Sequence, residues 1–367
     1  MDTEQIYGLV NDVAQQTMGA EALTAIDTST LVALGDSILS SSTNTEAFLD
    51  TLVQRIGRTI IRYRKYESMY KILALSDMEY GQILQKIRTK MPVAVEDDTY
   101  NLIDGQSLDM YIVSKPEAVQ KLFVKRTPVA FFKTFQRKPL KEAFLSAEAM
   151  GAFLASVTGE VRNYIELTDE NLGRLTVANY IVNASTQQVV NLVTEYNATT
   201  GSTITTGPSA LYNEAFCRFA IGRINVISSK MRGMSQLYND GSIPTHSPYN
   251  MQNYLVSTEF QSALQTQVQY AAFHDGYVSK VANVDVPYWQ NAQSPFDIKL
   301  TVDDEDVTIS NVVAMIADKE AMGTYRKEEE ALTTPVNARG RYYNTWWHLD
   351  NLYLNDLSEN GVVFTLN

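Results

Sequence analysis

The spacing of apolar residues between Met150 and Asn183 constrains this chain more than any other feature. Phe153, Val157, Val161, Ile165, Thr168, Leu172, Leu175, Ala178 and Val182 follow one another by three or four residues without a break. That period places them on one face of an α-helix and predicts a single helix over 150–183, roughly 50 Å long at about 1.5 Å per residue. It is well above the mean helix length of globular proteins, about 11–12 residues. Gly151, Gly159 and Gly173 weaken it locally, so a bend is expected along its length.

Upstream, Ile6, Leu9, Val10 and Val13 predict a short amphipathic helix over 2–18, and the polar run SSSTNT, Ser40 to Thr45, reads as a flexible joint. AFLDTLVQRIG then puts Phe48, Leu52, Val53 and Ile56 on one helical face. RTIIRYRKY carries Arg58, Arg62, Arg64 and Lys65, a solvated basic edge or a contact for an acidic neighbour. Residues 66–140 resist a compact reading. Two ordered runs, 78–91 and 119–135, flank an acidic, turn-rich stretch; alternation in Leu122, Val124, Phe131, Lys133 and Phe135 predicts strands, with helix still open for 81–90. Seven Lys and Arg crowd 121–141 (Lys121, Lys125, Arg126, Lys133, Arg137, Lys138 and Lys141). A long two-stranded excursion cannot bury both faces alone and needs support from something else.

After the long helix, TTGSTITTGPS (Thr199 to Ser209) reads as loop and Ala210–Ile221 as helix. Thr258 and Gln261 form a capping-box pattern ahead of a stripe of Phe260, Leu264, Val268 and Ala271/Ala272, with Gly276 placed to end the helix and VSKVANVDV following as strand. Near the end, GRYYNTWWHLDNLYLN puts aromatics on both faces of an extended strand: Tyr342, Trp346 and His348 on one, Tyr343, Trp347 and Leu349 on the other. Either it is a central strand buried inside one domain, or one face is buried only when another copy of the chain arrives.

Composition excludes several function classes. The 367 residues suffice for one large domain or two ordinary ones. Cys217 is the lone cysteine, so no internal disulfide forms, a reducing compartment is the simplest setting, and its apolar neighbours predict an inert core thiol. The N-terminus lacks the basic and apolar regions of a secretory signal, and no apolar stretch approaches the roughly 20 residues that span a bilayer. A net charge of −12 argues against a dedicated nucleic-acid reader while suiting a surface that lies near DNA without sticking to it. Nucleotide-binding, nucleophile-elbow and zinc-protease motifs do not occur, and His246, His274 and His348 lie far apart. Asp303, Asp304, Glu305 and Asp306 could bind a divalent cation but lack the calcium-loop pattern, so an exposed acidic turn is the expectation. No catalytic, cofactor-binding or metal residue is singled out, and the chain is expected not to be an enzyme.

The order of parts (N-terminal arm, long basic hairpin-like excursion, very long helix, mixed α/β segment, aromatic strand, short terminal strand) resembles the major capsid proteins of tailed bacteriophages with the Hong Kong 97-type fold. FLDTLVQRIGRTIIR (48–62), KEAFLSAEAMGAFLASV (141–157) and YRKEEEALTTPVNARGRYYNTWWHLDNLYLNDLSENGVVFTLN (325–367) are similar to stretches of the major head proteins of small phi-twenty-nine-like podoviruses, and NYLVSTEFQSALQTQVQYAAFHDG resembles a capsid central domain. The resemblance implies an α+β fold: an N-terminal arm and first helix (1–65), an extended loop (66–140), a peripheral domain with the spine helix (141–190), an axial domain (191–319), and the peripheral sheet with C-terminal strands (320–367). No immunoglobulin-like module is expected after GVVFTLN, and the arm is expected to be uncleaved.

The same resemblance implies a structural function: pentamers and hexamers closing an icosahedral or prolate shell around double-stranded DNA, assembled in the host bacterial cytoplasm and found in the virion capsid. The implied partners are further copies of the chain, scaffolding protein, portal, head fibres or decoration protein, and packaged DNA bound non-specifically; no membrane and no cofactor are implied. The alternative is an encapsulin-like cellular compartment. The cations of 121–141 are expected to face acidic patches on adjacent copies, the 96–98 or 303–306 runs among them, so that reversing Arg126 and Lys133 would impair assembly more than folding. The DNA-facing surface is expected to be neutral or acidic.

Overall fold

The computed structural model describes residues 3–19, 22–56, 66–75, 84–92, 94, 97, 100, 102–107, 111, 113, 115–124, 126–269, 283–290, 292–302 and 304–367. The chain opens with helices α1 (Thr3–Met18), α2 (Thr28–Leu39) and α3 (Ser42–Ile56), then strands β1 (Leu84–Thr89), β2 (Ala118–Phe123) and β3 (Arg126–Gln136). Helices α4 (Arg137–Ala143) and α5 (Ala147–Asn183) lead to β4 (Val189–Asn191), α6 (Leu192–Thr200), α7 (Glu214–Lys230), β5 (Gln252–Ser257) and α8 (Thr258–Leu264). The rest is β-structure: β6 (Asn283–Val286), β7 (Ile298–Val302), β8 (Glu305–Ile309), β9 (Val312–Asp318), β10 (Met322–Thr333), β11 (Tyr342–Asn355) and β12 (Gly361–Thr365). Contacts divide it into two units, one of Met1–Asp77, Arg126–Gly173 and Thr324–Leu352, the other of Met78–Lys125, Arg174–Gly323 and Tyr353–Asn367.

In the first unit the N-terminal helices contribute to the core. Ile6, Val10, Val13, Leu31, Leu34, Ile38, Phe48, Leu49 and Leu52 share one buried cluster with Leu140, Phe144, Met150, Leu154 and Tyr343. Asp27 starts α2 through a reciprocal capping box with Thr30. The Thr30 backbone N–H, the Thr30 hydroxyl and the Ser29 hydroxyl hold its carboxyl at about 2. Gly35 lets α2 approach Phe144, because a Cβ there would sit 2.5 Å from the ring. The run Ser40–Thr45 is not a flexible joint. Its residues open α3, where the Thr45 N–H donates to the Ser41 carbonyl at 3.1 Å and the buried Thr45 hydroxyl donates to the Ile38 carbonyl at 3.1 Å. Ser and Thr favour helix N-termini for the same reason they favour loops, their short side-chain oxygens.

Helix α5 runs 37 residues, about 55 Å at 1.5 Å per residue. Of its predicted stripe, Ile165, Leu172 and Ala178 are buried, Phe153, Val161, Thr168 and Val182 are half-buried, and Leu175 is exposed; the Val157 side chain lies outside the described residues. Val177, Tyr180 and Ile181 are buried instead, so the helix is enclosed on a wider arc toward its C-terminus. Gly173 is explained by close approach: a Cβ would meet the Tyr70 side chain at 2.5 Å.

The second unit is built on a five-stranded sheet in the order β4-β12-β9-β5-β6, with β9 antiparallel to β5 and β12, and the outer strands β4 and β6 parallel to their neighbours. Every residue of β5, β9 and β12 is buried. Leu192, Val193, Phe216, Cys217, Ala220, Ile224 and Ile227 of α6 and α7 pack with Val313, Ile316, Val362 and Phe364 of that sheet. Continuous apolar runs such as VVAMIA suit a strand covered on both faces. Gly361 admits Tyr180, whose hydroxyl would clash with any Cβ. Burial raises the Cys217 thiol to about 11, and its Sγ lies 3.4 Å from the Leu211 carbonyl.

Three local expectations change. The residues from 84 to 89 are strand rather than helix, pairing antiparallel with β2. The helix predicted over 210–221 begins at Glu214, capped by the Asn213 side chain, after a 3-10 turn at Pro208–Tyr212. At α8 the N-cap is Ser257 and makes no side-chain cap bond, so Thr258 and Gln261 form no capping box. Gly276, and the predicted strand before Asn283, lie outside the described residues, as do Arg58, Arg62, Arg64 and Lys65.

Candidate assembly surfaces

The hairpin β1–β2 places Lys86 directly opposite Lys121. Like charges facing each other across strands repel unless something neutralises them. Here two acids after β11 do so. Lys121 Nζ lies 2.8 Å from Asp356 Oδ1, Lys86 Nζ lies 3.3 Å from Asp356 Oδ2 and 3.1 Å from Glu320 Oε2, and Glu359 takes both Lys86 and Arg88. Asp356 and Glu359 are buried. Burial pushes the Asp356 carboxyl up, but hydrogen bonds from Lys121 and Ser358 and the charges of Lys121 and Lys86 outweigh it, leaving it below the ordinary carboxylate value. The stem of the excursion is therefore fixed to its own chain by an ionic cluster.

Beyond the stem the picture reverses. Between Ile87 and Val124 the described residues Tyr100, Leu102, Ile103, Tyr111 and Val113 are 64–93% exposed, and Ile87, Met91, Leu122 and Val124 are also exposed. Single exposed apolar side chains are ordinary; nine in under forty residues are many for one segment.

The aromatic strand β11 shows a second asymmetry. It lies between β10 and β3, with Trp347 opposite Phe131 and Trp346 opposite Phe132. Tyr343, Thr345, Trp347, Leu349 and Asn351 are buried. Trp347 stacks on Phe131 at 5.6 Å, and with Phe135 it packs against Phe153 and Val161 of α5. On the other face Trp346 stacks on Phe132 at 4.6 Å and on His348 at 6.4 Å, yet Phe132 is 55% exposed and His348 is exposed. One aromatic face is closed by the chain's own helix, and the other is only partly covered among the described residues.

The basic stretch behaves differently from expectation. Lys121 pairs with Asp356, Arg126 lies 3.7 Å from Asp350, Lys133 bonds Glu160 at 2.6 Å, Lys138 and Lys141 lie about 4 Å from Glu142 and Asp36, and Arg137 donates to the Leu39 carbonyl. Each described cation of 121–141 thus has a partner within its own chain, from Glu142, four residues from Lys138, to Asp356, 235 residues from Lys121. Lys125 lies outside the described residues. In the acidic run, Asp306 is held by Lys299 at 2.7 Å and by the Thr301 hydroxyl in the β7–β8 hairpin, while Asp303 lies outside the described residues. Among the described residues no group of three or more His, Cys, Asp or Glu is arranged to hold a metal ion.

This arrangement of a long spine helix, a three-stranded sheet beside it, a hairpin excursion and a separate five-stranded sheet is the α+β fold of tailed-phage capsid subunits, the Hong Kong 97 type. The capsid structure of Staphylococcus phage Andhra matches with a TM-score of 0.53 at 13% identity, covering 84% of this chain and 87% of that one. That of the cyanophage P-SCSP1u matches with a TM-score of 0.51 at 11% identity, covering 84% and 90%.

Sequence narrows the class. The model of the Phi29-like phage major capsid protein family matches residues 9–365, and the chain belongs to that family. The major capsid protein of Bacillus phage PZA is 22% identical over 335 residues, covering 90% of this chain and 66% of the relative. That of Bacillus phage GA-1 is 24% identical over 177 residues, covering 47% of this chain and 36% of the relative. The chain thus spans just under two thirds, or less, of the length of these relatives. Family membership selects the phage capsid reading over an encapsulin-like compartment.

Proposed function

We propose that copies of this chain close into the shell of a tailed-phage head, as pentamers and hexamers around double-stranded DNA. The division of labour follows the parts: an N-terminal arm and first helix over 1–65, an extended loop over 66–140, a peripheral domain over 141–190 completed by 320–367, and an axial domain over 191–319. The observation that carries this is the excursion, whose stem is pinned by Asp356 and Glu359 while its outer part exposes Tyr100, Leu102, Ile103 and Tyr111. A second copy is the cover that such a surface needs, and shells are made of contacts between unlike surfaces of identical chains.

Scaffolding protein, portal and head fibres or decoration protein are the further partners this reading implies, with assembly in the host cytoplasm. Packaged DNA would be met without sequence preference, in keeping with a net charge of −12. The reading is tested by electron microscopy of the purified chain beside a variant in which 91–117 is replaced by a short Gly-Ser link. Closed particles from the first and folded, particle-free protein from the second are expected; particles from both would remove the excursion from the account.

A further inference from the structure

Helix α5, the start of β10 and the 3-10 turn Met69–Leu73 border a cavity of about 250 Å³, and all of its walls belong to the first unit. The segment carrying the turn is tied down at three points. The Leu75 N–H donates to the Thr324 carbonyl at 2.9 Å, the Ser68 N–H donates to Glu166 Oε2 at 3.3 Å, and the Tyr66 hydroxyl donates to the Glu170 carboxylate. The cavity is therefore framed by the fold and is not a gap beside a loose loop.

The polar groups on these walls are not balanced. Arg326 is shared between Asp169, at 2.5 Å, and Glu329, at 2.8 Å, whereas Glu166 has no cation in ion-pair range among the described residues. Lys71 also borders the cavity but is itself exposed. Burial first, and then the charges of Glu166 and Glu329, lift the Asp169 carboxyl above its ordinary value in spite of Arg326. Asn351 follows Trp347 and Leu349 on the face of β11 that α5 covers, and it is 2% exposed. Its side chain lines the cavity and makes no hydrogen bond among the described residues. Buried amides are rarely left without a partner, because the lost hydration is costly.

We propose that this cavity binds a primary alkylammonium group, its nitrogen held by Glu166 and the Asn351 side-chain oxygen and its alkyl chain lying against Leu75 and Leu172. An ammonium brings three donors and no acceptor, which answers a carboxylate and an amide oxygen bordering one space. Tyr70 and Tyr325 line the same space, and aromatic rings attract a cation at close range. A bare divalent ion fits less well. Calcium takes about six to eight oxygens, and Asp169 is already engaged by Arg326. The volume also exceeds what a single ion needs, yet falls short of the roughly 300–1,000 Å³ of pockets for drug-sized ligands. A free diamine and a lysine side chain of another protein chain present the same head group.

The test is calorimetry on the unassembled full chain with putrescine, Nα-acetyl-lysinamide and calcium chloride as separate probes. No particle need form, so failure here leaves the shell reading untouched. At least one of the two amines should bind at one site per chain and raise the melting temperature. Binding of putrescine alone assigns the site to a free diamine, and binding of acetyl-lysinamide assigns it to a lysine side chain. Glu166→Gln should weaken that binding by about tenfold or more, since it removes a charged acceptor. Asn351→Asp adds a carboxylate to the same wall and should tighten it, which keeps the test open if Glu166→Gln does not fold. Failure of both amines to bind at millimolar concentration would overturn the proposal. So would unchanged affinity in folded Glu166→Gln, weaker binding in folded Asn351→Asp, or calcium binding that excludes the amines.

Discussion

The two larger sheets of this protein solve the same problem to different degrees. In the five-stranded sheet, β5, β9 and β12 are buried at every position, so both faces are closed within one chain. In the three-stranded sheet, β11 buries Tyr343, Thr345, Trp347 and Leu349 but leaves Trp346 half-buried and His348, with Phe132 on β3, exposed. Both carry large apolar residues on both faces. The difference teaches that hydrophobicity alone does not tell a finished core from one awaiting a partner; what decides is whether the chain supplies a second layer. The first sheet has α6, α7 and their neighbours, and among the described residues the second has α5 on one side.

Truncation should separate the two sheets sharply. Phe364→Ala, in the closed sheet, removes a fully buried ring and should cost about 3–5 kcal/mol of unfolding free energy in urea titrations. Between the extremes lies the ionic stem. Glu359→Gln leaves Lys86 and Arg88 near a neutral group, and amide exchange in 84–89 and 118–123 should accelerate by an amount equivalent to about 1–3 kcal/mol while the global midpoint moves less.

The stem also sets a pH dependence. Asp356 has a depressed carboxyl, so its contribution is complete above the ordinary carboxylate range and is lost as pH falls through the folded value, below about pH 4. Exchange in β1 and β2, corrected for its intrinsic rate, should rise in that window before the five-stranded sheet responds. The smallest stability effect should come from the open aromatic face. Trp346→Ala forfeits a stack on Phe132 worth about 0.5–1.5 kcal/mol, yet should abolish particle formation seen by sedimentation. A loss of stability as large as that of Phe364→Ala would mean that the two sheets do not differ in the way described.

Much of this was legible in the residues. The period of 150–183 marked the spine helix to within three residues of its start, and the alternation in 131–135 marked β3. The double-faced aromatics of 342–349 raised the question that the fold answers, with one face taken by Phe153 and Val161 and the other left open. What escaped was set by distance or by ambiguous chemistry. Helix α2 went unread although Asp27 and Thr30 cap it, because its twelve residues lie among Ser and Thr that suit loops equally well. The partners of Lys121 and Lys133 could not be read, since Asp356 lies 235 residues away and Glu160 is reached only once β3 packs beside α5.

Hydroxyl-radical footprinting of assembled particles against unassembled subunits tests the central claim most directly, that the surfaces left open by one chain are closed by another. Tyr100, Tyr111 and Trp346 should be labelled in subunits and protected in particles, while Phe364 stays protected in both. Equal labelling of Tyr100, Tyr111 and Trp346 in the two states would contradict the account.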